Sequence, residues 1–112
     1  MNADDFDKEA GLACVEGDEA LYEAVLTVFH QQITEEFAEL PAALRDGRDA
    51  PVARQVHTLK GSAGSVGAKR LEAAASAIDR RLKADQWPLE EALIDELDAA
   101  LRSAAESLRP MI

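Results

Sequence analysis

The sequence predicts an all-α protein: an antiparallel four-helix bundle with a short additional N-terminal helix. Three observations predict it. Apolar residues recur at steps of three and four. Alanine, leucine and glutamate, all strong helix formers, dominate the composition. No segment shows the strict polar–apolar alternation of a half-buried strand. At 112 residues the chain has the length of one domain, expected to span 1–112, and 47 % hydrophobic residues can supply one core.

The elements follow in order. A short first helix is expected over Asp5 to Val15, with Phe6 and Leu12 buried, as a cover at one end of the bundle. Gly17-Asp18 breaks it, and Asp18 is placed to cap the second helix. That helix carries Tyr22, Leu26, Phe29, Ile33, Phe37, Leu40 and Leu44, one buried stripe that Leu21, Val25 and Val28 are expected to widen. Pro41 inside the pattern predicts a kink or local break. Asp46-Gly47-Arg48-Asp49 reads as a turn, with Asp49 capping a third helix and Pro51 in its first turn. The third helix buries Val52, Val56, Leu59, Ala63 and Val66 and ends between Gly64 and Gly67. A fourth runs from Ala68 to Ala84 with Leu71, Ala74, Ala75, Ile78 and Leu82 inward. After a turn at Asp85-Gln86-Trp87, Pro88 is expected in the first turn of a last helix, whose stripe is Leu89, Leu93, Leu97, Ala100, Ala104 and Leu108.

Charge excludes several functions. Lys plus Arg number 12 and Asp plus Glu 22, a formal net charge of −10. An excess of acid argues against nucleic acid, whose phosphates require clustered Lys and Arg, and against an anionic membrane surface. No apolar run approaches the roughly 18 residues of a transmembrane helix, and the acidic N-terminus lacks the plan of a signal peptide. Cys14 is the single cysteine and has no partner for an internal disulfide, which fits a reducing compartment. The expected location is cytoplasmic. Met1 and the lack of a linker favour a freestanding protein. The charge is also uneven: residues 1–49 sum to −10, residues 50–83 to +5 and residues 84–112 to −5. Arg54, Lys60, Lys69 and Arg70 make the third-helix region locally basic, a field able to steer an acidic partner.

The informative stretch is His57-Thr58-Leu59-Lys60-Gly61-Ser62-Ala63-Gly64-Ser65-Val66-Gly67. At about 100° per residue, His57 lies roughly 140° from the buried stripe, Gly61 about 180°, Gly64 about 120° and Lys60 about 80°. The histidine points away from the core, with Ala53, Lys60, Gly61 and Gly64 as its helical neighbours. Exposed bundle helices usually carry long charged side chains, yet here the surface is stripped nearly to backbone. Each helical glycine costs about 1 kcal/mol relative to alanine, so stability does not explain them; close approach of another molecule does. Singly, each feature has a plainer explanation: a surface histidine, a solvated lysine, glycines serving a helix end or tight packing. All must coincide on one face within two turns. Histidine, ammonium and cleared surface together suggest phosphoryl transfer with a docked partner.

These residues resemble the histidine-containing phosphotransfer (HPt) domains of bacterial-type phosphorelays. His57-Thr58-Leu59-Lys60-Gly61-Ser62-Ala63 is close to that family's His-x-Leu-Lys-Gly core, and Gly67-Ala68 and Leu71 follow it. Gly17-Asp18-Glu19-Ala20-Leu21-Tyr22 with Phe29 resembles the family's start of the second helix. The resemblance implies that His57 accepts a phosphoryl group on the ring nitrogen farther from the backbone. It implies that Lys60 steadies the added charge, that Gly61 leaves room for a receiver domain, and that Gly64 does the same. Ala53 and Arg54 join the implied docking face, with parts of the second helix. The partners implied are response-regulator receiver domains and an upstream hybrid sensor histidine kinase. The domain is then a monomeric carrier and not an autonomous enzyme, with no cofactor of its own, the Mg²⁺ belonging to the receiver. No phosphate-cradling G-x-x-x-x-G-K-[ST] loop occurs, in keeping with this.

Other readings are weaker. His30 has Ile33 and Thr34 one turn on and no cleared surface, so a structural or surface role is expected. Neither histidine has Glu three residues before it, as di-iron bundles require, and one cysteine with two scattered histidines is a poor zinc set. Glu35-Glu36 and Glu90-Glu91 read as solvated helix faces. No G-x-S-x-G elbow supports a hydrolase. Histidine-kinase dimerisation helices usually place an acid directly after the histidine, where Thr58 stands here. The remaining alternative is a helical adaptor that binds a protein partner through a groove, with the histidine incidental.

Overall fold

The computed structural model describes residues 1–47 and 49–111. Among them are α1 (Lys8–Ala13), α2 (Glu19–Gln31), α3 (Leu40–Asp46), α4 (Ala50–Ser65), α5 (Lys69–Lys83) and α6 (Glu91–Leu108), and no strand. A π-helical turn, Gln32–Glu36, follows α2, and a 3₁₀ turn, Arg109–Met111, follows α6. α2 and α3 together form one rod of the bundle. That rod packs on α6 and, through α3, on α4; α4 packs on α5, and α5 on α6. The protein is an all-α helical bundle, and the short α1 lies against α2 at one end.

Local chemistry sets the helix starts. The side chain of Asp7 accepts from the Ala10 N–H at 3.1 Å, Asp18 from Leu21 at 3.0 Å and Asp49 from Val52 at 2.9 Å. Each satisfies one of the orphan donors of a first turn. Asp18 and Asp49 are the caps the sequence predicts. α1 is shorter than its expected span of Asp5 to Val15, because Asp7 starts it and the Gly17 N–H closes it onto the Leu12 carbonyl at 2.8 Å. Phe6 therefore lies ahead of α1, buried edge-to-face on Phe29 with ring centroids 6.4 Å apart, while Leu12 is half-buried. The expected turn at Asp46-Gly47-Arg48-Asp49 includes Arg48, which is outside the described residues.

Pro41 breaks its helix one turn earlier than its own position. Having no N–H, it cannot serve the Phe37 carbonyl, and its ring would crowd that carbonyl. The chain instead widens, with the Phe37 N–H donating to the Gln32 carbonyl at 2.9 Å and the Leu40 N–H taking the Phe37 carbonyl at 3.1 Å. Pro41 then sits in the first turn of α3, where no N–H is needed. The extra residue per turn keeps Ile33, Phe37, Leu40 and Leu44 all buried with Tyr22, Leu26 and Phe29.

Two expectations about the stripes fail. Leu21 and Val28 are 48 % and 56 % exposed, and only Val25 is half-buried. They lie one residue, about 100°, off the stripe that faces the bundle, so the core does not cover them. Pro88 lies ahead of α6, not in its first turn: Glu90 is extended (φ −64°, ψ 134°) and the helix starts at Glu91. Ile94 and Leu101 are fully buried there, whereas Leu89 and Leu93 are half-buried. α6 meets α5 on one side and the α2–α3 rod on the other, so it buries a wider strip than a single line of leucines. Leu82 of α5 is likewise half-buried. No described helix is long and apolar enough to cross a membrane.

The end of α4 is fixed by a Schellman arrangement, which satisfies its last carbonyls. Gly67 takes φ +74°, the Ala68 N–H reaches the Ala63 carbonyl at 2.8 Å and the Gly67 N–H the Gly64 carbonyl at 3.3 Å. The buried Tyr22 hydroxyl donates to the Val66 carbonyl at 2.8 Å, and the Asp7 N–H donates to the Gly67 carbonyl at 2.7 Å. The helix that carries His57 is thus held at its C-terminal end by α2 and by the segment before α1.

Candidate functional site

α4 buries Val52, Val56, Leu59 and Ala63. Its opposite face carries His57, whose side chain is 62 % exposed. Lys60 is one turn on, its side chain 37 % exposed, and Gly61 and Arg54 are open to solvent. Ala53 and Gly64 are half-buried. The helix thus presents the predicted group on one side, as 3.6-residue geometry requires.

The two glycines differ. A Cβ on Gly61 would meet nothing within 4 Å, so the surface there is open. A Cβ on Gly64 would lie 2.6 Å from a carboxylate oxygen of Glu72 on α5. The space over Gly64 is taken by this chain's own side chain, which gives that glycine a packing reason and not only one of access.

α5 runs antiparallel beneath α4 and adds two residues the sequence reading missed. Asp79, with its side chain only 4 % exposed, places Oδ2 3.5 Å from His57 Nδ1 and 3.5 Å from Lys60 Nζ. Lys83, one turn further along α5, has Nζ 3.0 Å from the same oxygen and 3.4 Å from His57 Nδ1. Burial alone would push the Asp79 carboxyl up, since an ion loses hydration in the interior. The Lys83 ammonium and the His57 ring outweigh that and hold it below the ordinary aspartate value of 3.8. An ionised carboxylate therefore sits at the root of the site. The signal in the sequence was a charge on a buried line: Asp79 follows Leu71, Ala75 and Ile78 at stripe spacing. Glu72 and Asp79 are also the only acids among residues 50–83, and each lies against the exposed helix face of α4.

Beside His57 a groove of about 370 Å³ runs between α4 and α5. Ala53, Arg54 and Thr58 line one side and Leu82 and Lys83 the other, with Asp79 at its base. Arg70, counted in the basic field by its position in sequence, faces elsewhere. Its guanidinium grips Glu96 of α6 at 3.0 and 3.1 Å and lies 3.7 Å from the buried Asp5, which also accepts from the Ser103 hydroxyl at 2.6 Å. His30 is half-buried on α2 and its carbonyl accepts from the Thr34 hydroxyl at 2.8 Å. Among the described residues no three of His, Cys, Asp or Glu converge on a metal position.

An exposed imidazole is a nucleophile near neutral pH, and two ammonium groups beside it can offset an anion placed on the ring. At Gly61, one turn from that ring, the surface is open. Against models of protein families, residues 24–107 match the Hpt domain. No curated protein and no solved structure matches the chain. Hpt domains are histidine phosphocarriers of two-component phosphorelays rather than enzymes, and they work with receiver and kinase domains. Matched from the second turn of α2 to the last turn of α6, with a solvent-facing histidine at the middle of the matched helices, the chain belongs to the Hpt-domain family.

Proposed function

We propose that the protein accepts a phosphoryl group on Nε2 of His57 from the phospho-aspartate of one receiver domain and passes it to another. The observation that carries the reading is the exposed His57 ring flanked by Lys60 and Lys83 on a helix inside the Hpt match. Lys60 and Lys83 steady the charge of the phosphoryl group, each as a compact point charge on a flexible stem. Gly61 leaves the ring open, and Ala53 and Arg54 border the ground on which the receiver rests. The protein brings no nucleotide or metal of its own; the Mg²⁺ belongs to the receiver, and a hybrid sensor kinase stands upstream. It acts as a monomer in the cytoplasm.

Incubation with a phosphorylated receiver tests this. The expected result is an acid-labile phosphoryl group on the wild type and none on His57→Gln, with unchanged helicity. A label that survives the substitution moves the site to His30. A competing reading, an adaptor that never becomes phosphorylated, draws on the exposed Leu21 and Val28 as a binding face. It predicts receiver binding without label in either protein.

A further inference from the structure

We propose that the segment ahead of α1 is a clasp poised between a closed and an open form, with Arg70 as the shared group that sets the balance. The inference does not rest on the phosphocarrier reading. The segment precedes residues 24–107, the part of the chain that matches the Hpt domain, and it acts on the far end of the helix that carries His57.

Closed, the segment is held at three places. Phe6 is buried against Phe29, the Asp7 N–H donates to the Gly67 carbonyl at 2.7 Å, and the Asn2 N–H donates to the Ser107 hydroxyl of α6. Phe6 and its neighbour Asp5 are driven in opposite directions. Burial of an aromatic ring favours the closed form. The Asp5 side chain is only 2 % exposed, and its Oδ1 is buried with no hydrogen-bond partner among the described residues. An oxygen taken out of water without a partner favours opening, which returns it to water. Oδ2 alone is served, by the Ser103 hydroxyl at 2.6 Å.

The cation that could complete Asp5 is committed elsewhere. Arg70 Nη1 stands 3.7 Å from Oδ1, beyond hydrogen-bond reach. Nε and Nη2 of the same guanidinium grip Glu96 at 3.0 and 3.1 Å. The donors of a guanidinium are fixed in one plane, so a fork aligned on one carboxylate is misaligned for a second. Asp5 and Glu96 therefore compete for Arg70. A shift of Arg70 toward Asp5 supplies Oδ1 and closes the clasp. A shift toward Glu96 leaves the buried oxygen orphaned and loosens it. The Arg70 and Glu96 side chains are 36 % and 48 % exposed, so the contest is accessible from the surface. A cation that engages Glu96 frees Arg70 for Asp5 and shuts the clasp; an anion that engages Arg70 opens it. Opening releases the Gly67 carbonyl just past the end of α4.

Amide hydrogen exchange of the full chain tests this with no phosphoryl donor present. The reporter is the Asp7 N–H, whose bond to Gly67 exists only in the closed form. The Leu59 N–H, in the middle of α4, reports global unfolding. In the wild type the Asp7 amide is expected to exchange faster than that of Leu59, with a weaker dependence on added urea. Glu96→Gln removes the competitor for Arg70 and slows Asp7 exchange about threefold, a change of the size one exposed ion pair can produce. Arg70→Gln takes the guanidinium from beside Asp5 and quickens Asp7 exchange about tenfold. In an Asp5→Asn background Glu96→Gln has no further effect. An Asp7 amide that exchanges only with global unfolding overturns the clasp. Asp7 exchange that is unchanged or faster in Glu96→Gln overturns the part assigned to Arg70, since a plain surface ion pair between α5 and α6 predicts that result. A slowing by Glu96→Gln that persists undiminished in the Asp5→Asn background overturns the competition.

Discussion

Gly61 and Gly64 occupy the same face of α4 as His57, yet only one faces open space. That difference separates stability from access. Gly61→Ala puts a methyl into solvent and replaces a poor helix former in a helix interior. It is expected to raise unfolding free energy by about 0.5–1 kcal/mol, read as a higher urea midpoint. Gly61→Glu keeps much of that gain and abolishes phosphoryl transfer, through bulk and negative charge beside His57. A glutamate variant with normal transfer shows that the glycine is not there for access. Gly64→Ala requires only the Glu72 carboxylate to swing away, so its effect on stability is small. His57, Lys60 and Gly61 were legible because they lie on one helix, where spacing alone puts them together. Asp79 and Lys83 were not, because no sequence pattern states which helix packs over His57, or in what register.

Among elements, the turn between α4 and α5 does the most to hold the site. It joins Gly67 in the left-handed region, the Tyr22 hydroxyl on Val66 and the Asp7 N–H on Gly67. Gly67→Ala forces a side chain into that region and against the backbone of Asp7, at an expected cost of about 2 kcal/mol or more. Tyr22→Phe leaves the buried Val66 carbonyl without this donor, at about 1–2 kcal/mol. Urea denaturation of both variants checks the order, and equal midpoints contradict it. The break ahead of Pro41 shows how an element was half legible. The proline announced an interruption, but the missing donor is felt at Phe37, four residues earlier, and that is where the chain rearranges. The seven stripe residues expected from Tyr22 to Leu44 are all buried because the π turn preserves their side.

Across the whole molecule, charge acts by pairing and less by sum. The +5 of residues 50–83 is drawn down by contacts with acids of α6 and of the residue just ahead of it: Arg70 with Glu96, and Arg81 with Glu90 at 2.8 Å. Arg45 ties α3 to Glu91 and Asp95 of the same helix at 2.6 and 2.7 Å. Exposed pairs of this kind are worth about 0–1 kcal/mol each. Asp79 is different because it is buried. Its folded pKa lies below the unfolded one, so its ionisation stabilises the fold above the ordinary value of 3.8, and that stability is lost as pH falls through the folded value. Urea unfolding of wild type and Asp79→Asn, from neutral pH down to about pH 3, is expected to show a wild-type advantage that is constant near neutrality and shrinks below 3.8. An advantage that does not change with pH contradicts a depressed carboxyl. The sequence by itself determined the all-helical class, the Asp18 and Asp49 caps, most of the buried stripes and the face that His57, Lys60 and Gly61 share, because these depend on residue spacing within one helix. Tertiary structure alone decided which cations stand at the histidine and which glycine is covered. It also decided that a buried carboxylate lies beneath the ring, because the antiparallel register of α4 on α5 is set by packing along both helices and not by any local pattern.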